Sequence, residues 1–296
     1  MADNPQPYYV PEQSKWPIIA AAGLGLSAVG AATSFHGDPY GPYILSLGIF
    51  VMIYMMVGWF GAVVAESEGG LYSKQSDRSF RWGMFWFIFS EIMFFLGFFG
   101  ALFYARNFSV PWLGGDGAIT KLGTHEFLWK NFQAQWPLLH NPDPTKFPNP
   151  AQAMSAVWLP LINTFLLVTS SFTITFAHHA LLANKRKLLN IFLLATIILG
   201  AAFLCLQAYE YHDAYTELKL KLSSGIYGTT FFMLTGFHGA HVTIGTIMLT
   251  TMLLRCIKGH FNPQHHFAFE ATAWYWHFVD VVWLCLFVYV YILPLR

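Results

Sequence analysis

The chain has 296 residues, 55% of them hydrophobic and only 10% charged, with a mean hydropathy of +0.46. A soluble domain carries about one quarter charged residues, so this composition belongs to a protein whose solvent is a bilayer. A net charge of +1 and a pI near 7.8 leave no basic excess of the kind that binds nucleic acid, and no nucleic-acid partner is expected.

The opening segment MADNPQPYYVPEQSKW has no apolar core behind a basic head and no small-residue cleavage site, so a cleaved signal peptide is not expected. Crossing a membrane takes about 20 mostly apolar residues. That template predicts seven helices, at about 17–35, 43–65, 82–104, 155–182, 188–209, 227–254 and 269–293. The first, PIIAAAGLGLSAVGAATSF, is built from Ala, Gly and Ser, which permit close backbone approach. The third surrounds a single acid, Glu91. The fourth, NTFLLVTSSFTIT, sets Asn163, Thr164, Thr169, Ser170, Ser171, Thr173 and Thr175 around the helix, enough to bond its neighbours at about 0.6 kcal/mol each. The loops between the spans hold nearly all the charge and the Pro and Gly clusters. One of them, at about 106–154, is longer than most structured connections. The expected fold is an all-α polytopic membrane protein, one membrane domain over residues 1–296.

Basic residues gather beside alternate loops: Lys74, Arg78 and Arg81, then Lys185, Arg186 and Lys187, then Arg255 and Lys258. The positive-inside rule puts these loops and the N-terminus in the cytoplasm, and the long loop and C-terminus outside, with Lys219 and Lys221 as exceptions. Cys205, Cys256 and Cys285 lie far apart with no C-x-x-C and no metal spacing, and read as packing residues.

Charge at mid-bilayer costs about 2.5–3.5 kcal/mol on insertion scales, so each such group needs a partner or a purpose. Glu91, His238, His241, His277 and Asp280 lie inside spans, Glu270 opens the seventh and His178 and His179 close the fourth. Three uses compete. Histidines could ligate a b-type haem, although His238 and His241 are three apart on one helix, the wrong arrangement for two axial ligands of one haem. Glu91 with the histidines could relay protons or substrate in a stand-alone transporter or channel, although no repeat symmetry accompanies it. The polar groups could instead pair with one another and fasten helices, which is the reading the residues favour.

Four segments go further. HHFAFEATAWYWHFVDVVWLCLFVYVYI (265–292) and GIYGTTFFMLTGFHGAHVTIGTIML (225–249) resemble the last two helices of the cytochrome c oxidase subunit III family. FRWGMFWFIFSEIMFFLGFFGALF matches too, with Glu91 at the family's intramembrane carboxylate, as does NTFLLVTSSFTITFAHHALL with Asn163 opening the fourth helix. The similarity covers most of the chain beyond residue 55.

The resemblance implies a supporting subunit of an aa3-type oxidase that reduces O₂ to water and pumps protons. It also implies that this chain holds no metal or catalytic residue of its own, with haem and copper in partner subunits. The partners implied are subunit I as the main contact, subunit II, phospholipid, and cytochrome c only through the complex. The family's arrangement is two helices plus five, with a V-shaped cleft that holds lipid. Its headgroup contacts match Trp59, Glu66, Arg81, Arg255, Lys258 and His260 here, and cations and an indole at the cytoplasmic interface suit anionic phosphate. The long 106–154 loop departs from mitochondrial relatives and suggests a bacterial protein of the inner (plasma) membrane.

Glu91 carries one further expectation. Phe87, Phe94, Phe95 and Phe98, one turn away, offer it almost no hydrogen bonds, so desolvation should favour the neutral acid. It should then bond to His238 or His241, which lie at similar depth.

Overall fold

The computed structural model describes residues 9–10, 13–116, 124–155 and 157–295. Seven of its helices are long and apolar enough to cross a membrane. They are α1 (Trp16–Phe35), α2 (Gly41–Glu68), α3 (Lys74–Tyr104), α4 (Leu159–Leu182), α5 (Arg186–Thr216), α6 (Gly225–Ile257) and α7 (Phe267–Leu286), and no strand occurs among the described residues. α1, α2 and α4 open on a proline in the first turn, where a missing N–H costs nothing. Left-handed glycines follow α2 and α6, at Gly70 and Gly259, with φ of 67° and 78°.

The helices outrun the predicted spans mainly at their polar ends. α3 starts at Lys74 rather than near 82, and α5 runs from Arg186 to Thr216, past the expected end near 209. Beyond Tyr104, α3 continues through wide π-type turns at Ala105–Ser109 into a short helix at Val110–Leu113. α7 likewise passes into wide turns at Phe287–Ile292 and a tight turn at Leu293–Leu295.

Within what the sequence reading treats as one membrane domain, the chain forms two compact units, Met1–Trp82 and Gly83–Arg296. In the first, α1 packs along α2 at backbone distance. A Cβ on Gly30 would lie 2.2 Å from the Leu45 nitrogen, and one on Gly48 would lie 2.5 Å from the Ser27 nitrogen, so only glycine fits at either crossing. Ser27 and Ser34 turn their hydroxyls back to the Gly23 and Gly30 carbonyls of their own helix.

The second unit is built around α7, 56% of whose apolar stretch is buried, against 11% for α1, α2 and α3. Trp276 and Trp283, both fully buried, key it to α4: Trp276 Nε1–H donates to Ser170 Oγ at 2.8 Å and Trp283 Nε1–H to Thr164 Oγ1 at 3.0 Å. The Trp276 ring also fills the space that Gly200 on α5 and Gly245 on α6 leave open. Further links join α4 to α7 and α5, from Ser171 Oγ to His277 Nδ1 (2.7 Å) and Thr173 Oγ1 to Thr196 Oγ1 (2.8 Å). Asn163, by contrast, is buried with its amide unbonded among the described residues.

The long connection is fastened to the turn between α5 and α6. The Ala151 N–H donates to the Leu218 carbonyl at 2.8 Å and the Met154 N–H to Tyr227 Oη at 3.1 Å. Asn141 Nδ2 reaches the Ser224 carbonyl at 3.3 Å. Its side chain occupies the space over Gly225, where a Cβ would come 2.2 Å from Oδ1 and φ is 78°.

Candidate functional site

The acid that interrupts α3 meets α6. His241 Nε2 lies 2.9 Å from Glu91 Oε2, and His241 Nδ1 lies 2.6 Å from the Phe237 carbonyl one turn back. A carbonyl only accepts, so Nδ1 carries a hydrogen. If the ring is neutral, Nε2 has none and the Glu91 carboxyl donates. If the ring is a cation, Nε2–H donates to a carboxylate. Either way one hydrogen lies between the two side chains, so each polar group has a partner at this depth. Phe94 and Phe95 pack against the imidazole at centroid distances of 6.0 and 5.0 Å.

His238 does not join this pair. Fully buried, it faces α7 instead, with Nε2 donating to the Val279 carbonyl at 3.1 Å and its ring 5.1 Å from that of Trp283. His277 bonds Ser171, whereas neither oxygen of Asp280 has a hydrogen bond of good geometry among the described residues, Ser171 being its polar neighbour. Of the five membrane-depth candidates two therefore form a pair, Glu91 with His241, two make separate contacts, His238 with Val279 and His277 with Ser171, and Asp280 joins neither. Among the described residues no three of His, Cys, Asp and Glu converge as metal ligands would.

One buried acid escaped the sequence reading. Glu210 on α5 is 1% exposed with no hydrogen bond of good geometry at either oxygen, and Tyr211, Tyr227 and Tyr291 are its phenolic neighbours. The signal for it lay in the period of α5. Leu193, Thr196, Gly200, Phe203, Gln207, Glu210 and Ala214 are all buried at steps of three and four, and ending the span near 209 cut that stripe short.

The headgroup candidates fall in both units. In the first, Trp59 is half exposed and stacked on Phe60 (6.1 Å), Glu66 accepts the Tyr72 O–H at 2.6 Å, and Arg81 Nε bonds Asp77 at 2.9 Å. Burial and then the Glu66 carboxylate hold the Tyr72 phenol above its ordinary pKa. In the second unit the Arg255 guanidinium lies 4.4 Å from the centre of the Phe261 ring, Lys258 is exposed and His260 half-buried at the end of α6. Arg81 and Arg255 thus have contacts within the chain and are more than free interfacial charges.

An all-helical chain with seven apolar spans, a carboxyl–imidazole pair at depth and cations near helix ends defines a polytopic membrane protein whose polar groups fasten its own helices. A sequence model of cytochrome c oxidase subunit III matches residues 6–127 and 125–294. The chain is 40% identical over 292 residues to cytochrome c oxidase subunit 3 of Struthio camelus and 40% to that of Gallus gallus, covering 98% of each chain. With that of Lumbricus terrestris it shares 38% over 287 residues, 97% of each chain. It belongs to the cytochrome c oxidase subunit III family and so to an oxidase complex of the respiratory chain, which sets aside the stand-alone transporter.

Proposed function

We propose that the chain is the non-redox supporting subunit of an aa3-type cytochrome c oxidase. Haem and copper reside in its partners. The chain stabilises subunit I, its main contact, also touches subunit II, meets cytochrome c only through the complex, and holds phospholipid. The observation that carries this reading is how the membrane-depth groups are used. Glu91 bonds His241, Ser171 bonds His277, and Ser170 and Thr164 bond the two buried tryptophans, so each bond joins two helices of this chain. Lipid binding is supported by Arg255 and Lys258 at the end of α6, and by Trp59 and Arg81 inside the last three turns of α2 and the first three of α3, where indole and cation suit a phosphate headgroup. The distribution of Lys and Arg supports a cytoplasmic N-terminus and an outer C-terminus, and the long 106–154 connection supports a bacterial plasma membrane.

The deciding experiment replaces Glu91 by Gln, which keeps the shape and can still bond His241. The haem spectrum and initial turnover of the assembled oxidase should hold, with this subunit confirmed on a gel, while activity decays faster during sustained turnover. Collapse of the initial rate or of proton pumping with the subunit fully retained would make Glu91 a proton carrier and sink the supporting role. Haemochrome and metal assays on the subunit separated from the complex should find no stoichiometric cofactor.

A further inference from the structure

His277 has one ring nitrogen left over. Its Nδ1 lies 2.7 Å from Ser171 Oγ, the contact that joins α7 to α4, while the nearest polar atom to Nε2 among the described residues is Thr175 Oγ1, 3.5 Å away. That separation exceeds the range of about 2.7–3.2 Å for an N–H···O bond. Thr175 cannot donate in its turn, because its O–H goes to the Ser171 carbonyl at 2.8 Å. Whether Nε2 carries a hydrogen or a lone pair, the described residues therefore give it no full partner.

The spot is open to the outside of the helices. Thr175 is exposed, His277 is half-buried, and Val281, one turn further along α7, is exposed. It is also deep. His277 stands ten residues into α7 (Phe267–Leu286) and Thr175 seven from the end of α4 (Leu159–Leu182), so each lies about 10–15 Å from the nearer helix end. An acyl chain at that depth has no donor or acceptor, and the oxygens of a phospholipid stay at the boundary of the hydrocarbon. An imidazole nitrogen left unanswered there is costly, and intramembrane histidines as a rule face protein or water. A polar side chain reaches such a depth on a segment whose own backbone bonds are satisfied, as a membrane-spanning helix provides.

We infer that the seam of α4 and α7 at Ser171, Thr175 and His277 is covered by a transmembrane helix of a partner subunit, which brings one hydroxyl to His277 Nε2. A hydroxyl both donates and accepts, so it answers either tautomer of the ring. The buried Asp280 has Ser171 as its polar neighbour, so the same cover shields a second ionisable group from lipid. The inference rests on reading the chain as a supporting subunit and adds the surface by which it is held.

The oxidase is assembled and purified with p-benzoylphenylalanine in place of Trp274, a half-buried ring one turn before His277, and illuminated. The expected product is a crosslink between this chain and the polypeptide of a different subunit. Because Thr175 is exposed and its O–H bonds its own helix, Thr175→Leu adds bulk on the outer face. It should abolish the crosslink and raise the detergent-driven loss of the chain from the complex about tenfold, within the usual cost of overpacking. His277→Leu should raise that loss about threefold, the worth of one such bond in a membrane bundle, and His277→Gln, which keeps a donor and an acceptor, should restore retention. Crosslinks confined to phospholipid, to this chain or to a second copy of it, unchanged retention in Thr175→Leu, or equal loss from His277→Leu and His277→Gln overturn the seam assignment and leave the supporting role intact. Failure of haem-bearing subunits to co-purify with the unaltered chain overturns both.

Discussion

In α1 and α2 the helices meet through glycine and serine at backbone distance, with the serine hydroxyls returned to their own helix. In α4 to α7 they meet through indoles, imidazoles and hydroxyls that reach across to a neighbour. Lipid supplies no hydrophobic drive between helices, so association must come from dispersion at close range or from polar groups that find no water. The first unit relies on close approach, and the second adds polar bonds to its packing. A backbone contact tolerates no added atom, whereas a set of side-chain bonds loses them one at a time.

The sharpest break should come from Gly30→Leu, because the obstacle is the Leu45 backbone at 2.2 Å and cannot rotate away. The cost should exceed the about 1–3 kcal/mol usual for overpacking, read as a widened distance between spin labels on α1 and α2. Trp276→Ala should follow at about 3–5 kcal/mol, the usual cost of deleting a buried Trp. It opens a cavity between Gly200 and Gly245 and orphans the bond to Ser170, and the SDS-denaturation midpoint should fall accordingly. If Gly30→Leu cost less than Trp276→Ala, the contrast between the units would be lost.

Replacing Arg81 and Arg255 together by Ala should lower the number of phospholipids that native mass spectrometry finds on the complex. Unchanged retention would return both residues to setting topology. At the small end, Thr164→Val removes one acceptor for Trp283 and should cost about 0.6 kcal/mol, the average for such bonds in a membrane bundle. A much larger loss would mean that the side-chain bonds of the second unit act as one network.

The seven spans were legible because hydrocarbon thickness sets their length, and the family because its motifs lie in four of them. The helix ends were not. Lys74 to Arg81 and Glu210 to Thr216 are polar, so a search for apolar runs stops short of them, although the helix continues through the interface. That is why Glu210 was missed. Glu91 needed a partner on a neighbouring helix, and sequence offered His238 and His241 equally. Three residues along a helix is a turn of about 60° from eclipsed, and which imidazole faces α3 depends on how α6 is rotated against α3 and α7, which spacing does not encode.

The single proton shared by Glu91 and His241 also decides how that pair responds to voltage. A full charge crossing the whole membrane gains about 2.3 kcal/mol per 100 mV. A proton passing between atoms 2.9 Å apart moves about 1 Å of a hydrocarbon layer about 30 Å thick, so even a hop along the membrane normal changes its energy by less than about 0.1 kcal/mol per 100 mV. The pair is electrically quiet: an energised membrane leaves its proton where the surrounding hydrogen bonds put it, and a clasp of this kind holds equally well whether the respiratory chain is idle or running.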